Sequence, residues 1–327
     1  MTLRPTLNRS HLAQPMEADA ARDILNALTI DVEDYYHVSA FETHVPRSRW
    51  GDYESRVLRN THRILDLLDQ HDVKATFFVL GWVAERHPHL VREIDNRGHE
   101  IGSHSYWHRL IYRQSPEDFR ADLRRSRDVI QDQVGRSVVV YRAPSFSITK
   151  DSLWALEVLV EEGFRLDSSV FPVRHDRYGI PNAPRTLHRI RTAAGDLWEL
   201  PPCVMRAAGI NIPVGGGGYL RLYPFRLTRG CLSRVNRLLE QPFVVYVHPW
   251  EMDPDQPRIR HGGCLSRFRH YVNLSRTETR LALLLRNFRF GSVSEVVGCR
   301  AADGEEPATW HVCGPCESLA SRWAYGR

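Results

Sequence analysis

The chain of 327 residues has no uninterrupted run of about 18 apolar residues, so no transmembrane helix is expected. Its first two dozen residues, MTLRPTLNRSHLAQPMEADAARD, lack the apolar centre of a secretory leader. The expectation is therefore a cytoplasmic protein. Low-complexity tracts are also missing, and with 42% hydrophobic and 25% charged residues the chain can bury a proper core. The net charge of +5 comes mainly from arginines scattered along the whole length, with no basic stripe interleaved with aromatics, so nucleic acid is not expected as a partner. Such a distribution reads as a solvated basic surface in preference to a weak pull toward anionic polymers or membrane surfaces. The six cysteines (Cys203, Cys231, Cys264, Cys299, Cys313 and Cys316) are expected as reduced thiols in that compartment. The run Gly215 to Gly218 lacks the Lys-Ser/Thr and helix start of a phosphate loop.

From Ile24 onward the pattern alternates. ILNALTID, VKATFFVLG, HEIGSH, SVVVYRAP and PFVVYVHP read as strands, with the shorter FRLDSS, LHRI and LWELP between the last two. ESRVLRNTHRILDLLDQHD, VAERHPHLVREIDNRG, DFRADLRRSRDVIQDQVG and DSLWALEVLVEEG carry helical spacing. Strands alternating with helices of this length predict parallel βαβ units, in an open sheet or a barrel. The segment Phe171 to Tyr223 reads as an irregular excursion lining a cleft. Residues 1–23 are expected to be a flexible segment and 298–327 a disordered tail, whose Cys313-Gly-Pro-Cys316 with His311 makes an incomplete zinc set unless Cys299 joins.

Polar residues of chemical interest fall at strand ends: Asp31, His104, Arg142, Asp167 and His248. In α/β barrels the carboxyl ends of the strands carry the chemistry. Three carboxylates, Asp31, Glu33 and Asp34, crowd into four positions, where like charges raise each other's pKa unless a cation or proton sits among them. His104 and His108 are spaced i, i+4, which on a helical turn places both imidazoles on one side. Two histidines and a carboxylate with open positions for water and substrate make a hydrolytic site for Zn²⁺ or a related divalent ion.

With these residues in place, the sequence resembles the NodB-homology polysaccharide deacetylases, carbohydrate esterase family 4. The resemblance rests on five motifs in the family's order: Asp31-Val32-Glu33-Asp34, His104-Ser105-Tyr106-Trp107-His108, Arg142-Ala143-Pro144, LDSSVFP from Leu166, and Val247-His248-Pro249. DVEDYYHVSAFE, DSSVFPVRHDRYGIPNAPR, GGGGYLRLYP and RFRHYVNLSRTETRLALLL further resemble the branch associated with exosortase-linked exopolysaccharide loci. The resemblance implies an α/β fold, a distorted (β/α) barrel with fewer than eight strands, spanning 24–297 with a helical C-terminal extension from about 258. It implies a metal-dependent hydrolase removing N-acetyl groups from amino sugars of a polysaccharide or its precursor, with Zn²⁺ favoured over Co²⁺ or another divalent ion. Asp31 would be the general base, Arg142 its orienting partner, His248 the general acid, and Asp167 the residue that tunes His248. His104 and His108 would bind the metal with either Glu33 or Asp34; the commonest family motif and side-chain length favour Asp34, whereas the Asp-x-Asp form of some relatives maps to Glu33. Tyr106, Trp107, Pro144 and Trp250 would line the sugar. The partners implied are an N-acetylated glycan and membrane-associated glycan assembly machinery, met at the inner face of the membrane. The competing readings are an amidohydrolase on a small cyclic amide and a glycan-binding protein without catalysis.

Overall fold

The structure, a computed structural model, describes residues 24–260, 262–302 and 308–312. The expected flexible segment 1–23 and the Cys313/Cys316 pair lie outside the described residues. Twelve strands are described: β1 (Leu25–Val32), β2 (Thr76–Val79), β3 (Glu100–Ser103), β4 (Val140–Tyr141), β5 (Leu166–Asp167), β6 (His188–Thr192), β7 (Gly195–Glu199), β8 (Val204–Ala207), β9 (Ile210–Pro213), β10 (Val244–Val247), β11 (Arg289–Gly291) and β12 (Thr309–His311). A run of parallel strands, β10-β1-β2-β3-β4-β5-β7, forms the heart of one sheet. The antiparallel β6 and then β12 extend it, while β11 pairs with the start of β1. β1 is thus central, buried along nearly its whole length, and held on its β10 side by residues more than 200 positions later in the chain. Its residues are apolar apart from Asn26, Thr29 and Asp31, which are buried and hydrogen-bonded, as a strand covered on both faces requires.

Helices fill the crossovers. Val57–Gln70 buries Val57, Ile64, Leu65, Leu67 and Leu68 at helical spacing. The single helix expected over VAERHPHLVREIDNRG is two, Gly81–Arg86 and Pro88–Asn96, because Pro88 lacks the N–H that would continue the first. Pro116–Val134 begins on Ser115, whose hydroxyl caps Asp118 N–H at 3.1 Å, and ends on Gly135 in the left-handed region.

Two expectations change. The excursion after Phe171 contains an ordered hairpin, β8–β9. Gly215 and Gly216 then bring the chain against β10: a Cβ on Gly216 would lie 2.3 Å from the Tyr246 carbonyl oxygen, so the run serves backbone approach. The expected disordered tail from 298 is corrected where it is described. Val293–Ala302 is a helix that buries Val293, Val296 and Val297, and Thr309–His311 pairs in parallel with β6.

Candidate active site

Asp31, His104, Arg142 and His248 leave the carboxyl ends of β1, β3, β4 and β10. All four converge, because these ends are neighbours in a parallel sheet. At the end of β1 the chain turns tightly, Glu33 N–H donating to the Asp31 carbonyl at 2.9 Å, and the three crowded carboxylates take three directions.

Asp31 accepts from Arg142 Nη1 at 2.8 Å through Oδ1. Arg142 is fully buried; its other donors go to Thr29 Oγ1 (2.7 Å), Ser168 O (3.1 Å) and Ser168 Oγ (2.8 Å). A guanidinium so fully engaged is a fixed charge, and it fixes Asp31 with it.

Glu33 joins the histidines. One ligand atom each from Glu33, His104 and His108 lie within 4.8 Å of one another, all buried. His104 Nδ1 pairs with the Arg142 carbonyl at 2.8 Å, which selects the Nδ1–H tautomer and leaves Nε2 as a lone pair. Burial pushes His104 down to about 4, so its imidazole is neutral near pH 7. His108 Nε2 stands 2.8 Å from Glu33 Oε2, whose second oxygen accepts from Trp250 Nε1 at 3.1 Å. Burial alone would raise the Glu33 carboxyl, but the His108, His248 and His104 imidazoles outweigh it and hold it well below the usual range. A carboxylate and two histidines converging in a buried space fit a divalent cation.

Asp34 does not join them, which corrects the preference for it as ligand. Its Oδ2 accepts from Ser55 Oγ (2.8 Å), Arg56 N–H (2.8 Å) and Val57 N–H (3.1 Å), capping the helix that begins at Val57. Burial pushes its carboxyl up to about 6 against the pull of these donors.

The segment carrying His108 is an irregular loop, not the helical turn expected from the i, i+4 spacing; Ser105 and His108 have φ of 63° and 51°. Asp122, from the helix Pro116–Val134, holds this loop by accepting from Tyr106 N–H (2.7 Å) and Trp107 N–H (3.1 Å). Sequence reasoning missed Asp122, whose signal, an acid on the buried face of a helix, is visible only once the helix is placed.

His248 offers Nε2 to the site, 3.8 Å from both Asp31 Oδ2 and Glu33 Oε1. Its Nδ1 is bonded to Glu251 Oε2 at 3.0 Å, and Glu251 is paired with the buried Arg221 at 2.7 Å. Burial would depress His248, but the Glu251 bond and the Glu251, Glu33 and Asp31 charges raise it to about 9. Glu251 therefore takes the place assigned to Asp167. Asp167 is fully buried, accepts from Ser169 Oγ at 2.5 Å and is paired in register with Glu199 on β7; burial raises both carboxyls. Neither Glu251 nor Arg221 was singled out in the sequence, though Glu251 lies only three residues past His248.

The expected sugar contacts divide. Tyr106 is buried, its hydroxyl donating to Glu85 Oε2 at 2.6 Å, and Trp250 is a buried donor to Glu33, so neither is a sugar platform. Pro144 is buried in a short turn, after which Ser145 and Phe146 both have φ of 53°. Trp107 keeps partial exposure.

Comparison with known proteins finds relatives over two stretches of the chain. Residues 52–161 match the family model for polysaccharide deacetylase, and residues 168–298 match a domain of unknown function, DUF3473. The first span holds His104, His108 and Arg142; the second holds Arg221, His248 and Glu251; Asp31 and Glu33 precede both. The chain is 38% identical over 101 residues to a peptidoglycan-N-acetylglucosamine deacetylase of Bacillus cereus, covering 31% of this chain and 37% of the relative. It is 36% identical over 90 residues to peptidoglycan-N-acetylglucosamine deacetylase PgdA of Listeria monocytogenes, covering 28% and 19%. The chain thus spans well under half the length of these curated relatives. A crystal structure from Mycobacterium smegmatis, assigned as a polysaccharide deacetylase, superposes with a TM-score of 0.58 at 20% identity, covering 90% of this chain and 96% of that one, and shows that the fold is shared.

Proposed function

We propose, from the premise that this chain carries a polysaccharide deacetylase domain, that it hydrolyses N-acetyl groups of amino sugars in a polysaccharide or its precursor. The observation that carries this reading is the placing of a fixed carboxylate, Asp31, and a histidine, His248, 3.8 Å apart, against the Glu33, His104 and His108 cluster. Glu33, His104 and His108 would hold a divalent ion, with Zn²⁺ the best match to the donor set, and such an ion would supply Lewis acidity to an acetamide carbonyl and to water. Asp31 Oδ1 is occupied by Arg142, which leaves Oδ2 to accept the proton of the attacking water. The water oxygen bonds to the acetyl carbon, and the carbon–nitrogen bond then breaks. His248, held through Nδ1 by Glu251, gives its Nε2 proton to the departing amine, so acetate and a free amino sugar result.

The curated relatives, named for peptidoglycan N-acetylglucosamine, support an N-acetylated substrate. We place the activity in exopolysaccharide biosynthesis, on the motifs shared with the exosortase-linked branch, and at the cytoplasmic face of a membrane; the unpaired state of Cys203, Cys231, Cys264 and Cys299 supports a reducing compartment. Acetate release from N-acetylglucosamine oligomers and from O-acetylated glycans tests the reading. Release from the former, lost in Asp31→Asn, is the expected result; release from O-acetylated glycans alone would make the protein an esterase instead.

A further inference from the structure

The helix Cys264–Tyr271 carries a face that the proposed chemistry does not use. Leu265 is 60% and Phe268 54% exposed, and three residues apart on a helix they project from one side. The opposite side is anchored. His270 is buried, stacks on Trp250 with ring centroids 4.2 Å apart, and pairs through Nε2 with Gln256 Oε1 at 2.8 Å. The helix is therefore fixed to the wall of the site while its apolar residues face outward. Arg267 and Arg269 share this helix, Arg258 and Arg260 precede it in the chain, and all four are exposed. From Gln256 through Thr277 the chain contains no Asp or Glu. Among the described residues none of these four arginines pairs with a carboxylate; Arg258 lies over the Tyr271 ring at 4.3 Å. Asp176, the acid nearest this face, is exposed and 2.9 Å from His175, whose imidazole burial holds below the ordinary value, so the carboxylate keeps its charge as one acid among the surrounding arginines.

We propose that this face docks on an anionic lipid bilayer, with Leu265 and Phe268 in the headgroup boundary and the arginines on lipid phosphates. Two apolar side chains alone hold a protein weakly, and an adjacent basic cluster supplies the second attraction that stable surface binding needs. A soluble polyanion would neutralise the arginines but offers the two apolar side chains no apolar medium. Because the same helix packs on Trp250, docking brings the wall of the site to the bilayer surface. The surface proposal stands apart from the deacetylase reading, and its test does not depend on activity.

The full chain is mixed with vesicles of phosphatidylcholine, with or without phosphatidylglycerol, and sedimented. Binding to the anionic vesicles that weakens with added salt is expected. Leu265→Ser/Phe268→Ser and Arg267→Gln/Arg269→Gln should each lower the partition coefficient roughly tenfold, with unchanged thermal melting; Phe268→Ser alone, at an exposed position, keeps the test open if a double variant melts early. No binding by the wild type overturns the proposal. So does undiminished binding of the apolar variants, which would mean attraction to any polyanion. A dimer in vesicle-free solution that dissociates on Phe268→Ser, without a change in vesicle binding, would assign the face to a second copy.

Discussion

Glu33→Gln removes the charge that draws a cation between His104 and His108, whereas Asp34→Ala removes the acceptor that caps the helix at Val57. The first should abolish bound divalent metal, read by elemental analysis, with little change in melting. The second should keep the metal but cost about 1–3 kcal/mol of stability, the scale of a lost cap with buried donors left unpaired. Loss of metal in Asp34→Ala alone would reverse the assignment. His248 and Glu251 make a second residue-level pair. The folded value of His248, about 9, lies above the ordinary 6.5, so its stabilising contribution is complete below about pH 6.5 and is lost as pH rises through 9. The acid role follows the same sign: kcat/KM should fall on the basic side as His248 loses its proton. A cation bound at Glu33 cancels part of that pull and brings the limb somewhat below 9. Glu251→Gln should move the limb further down, toward the ordinary histidine range. Asp167→Asn should leave it in place, since Asp167 sits beside Glu199 and the His248 Nδ1 bond goes to Glu251. A limb moved by Asp167→Asn and untouched by Glu251→Gln would return the tuning role to Asp167.

Among elements, the loop from His104 to Leu110 has no regular secondary structure and is held from outside, by Asp122 on the Tyr106 and Trp107 N–H groups and by Arg47 on the Trp107 and His108 carbonyls. Asp122→Ala should weaken metal affinity by about 10–100-fold, the usual effect of losing a residue that orients a ligand, measured by competition with a chromophoric chelator; unchanged affinity would show that Arg47 and the other partners hold the loop without Asp122. The main strands and helices were legible because burial writes itself as apolar runs and helical spacing, as in β1, β10 and Val57–Gln70. Site residues at strand ends were legible for the same reason. The loops were not. Spacing of i, i+4 suggested a helical turn at His104, but left-handed residues and a remote carboxylate decide that backbone. Whether Tyr106 faces sugar or Glu85 depends on tertiary neighbours that no local pattern encodes.

At the scale of the whole molecule, composition averages conceal position. Arginines spread along the chain masked the acid-free stretch from Gln256 to Thr277, which matters only because folding places it beside exposed Leu265 and Phe268. Connectivity is equally hidden. β1 pairs with β10 and β11 as well as β2, so a fragment 24–251 leaves part of its central strand and much apolar surface uncovered. That fragment should be insoluble or bind hydrophobic dyes, while 24–302 should unfold cooperatively by calorimetry; a soluble, cooperative 24–251 would show that the extension is dispensable.

The long separation of β1 from β10 also has a temporal side. Thr29 and its partner Val245 are 216 residues apart, so at 5–20 residues per second a ribosome delivers the second roughly 10–40 s after the first. Throughout that interval the strand bearing Asp31 and Glu33 has no β10 to pair with and presents an apolar edge to other nascent chains. Shielding of that edge during synthesis therefore has to come from elsewhere, until β10 emerges and completes the strand order around Asp31.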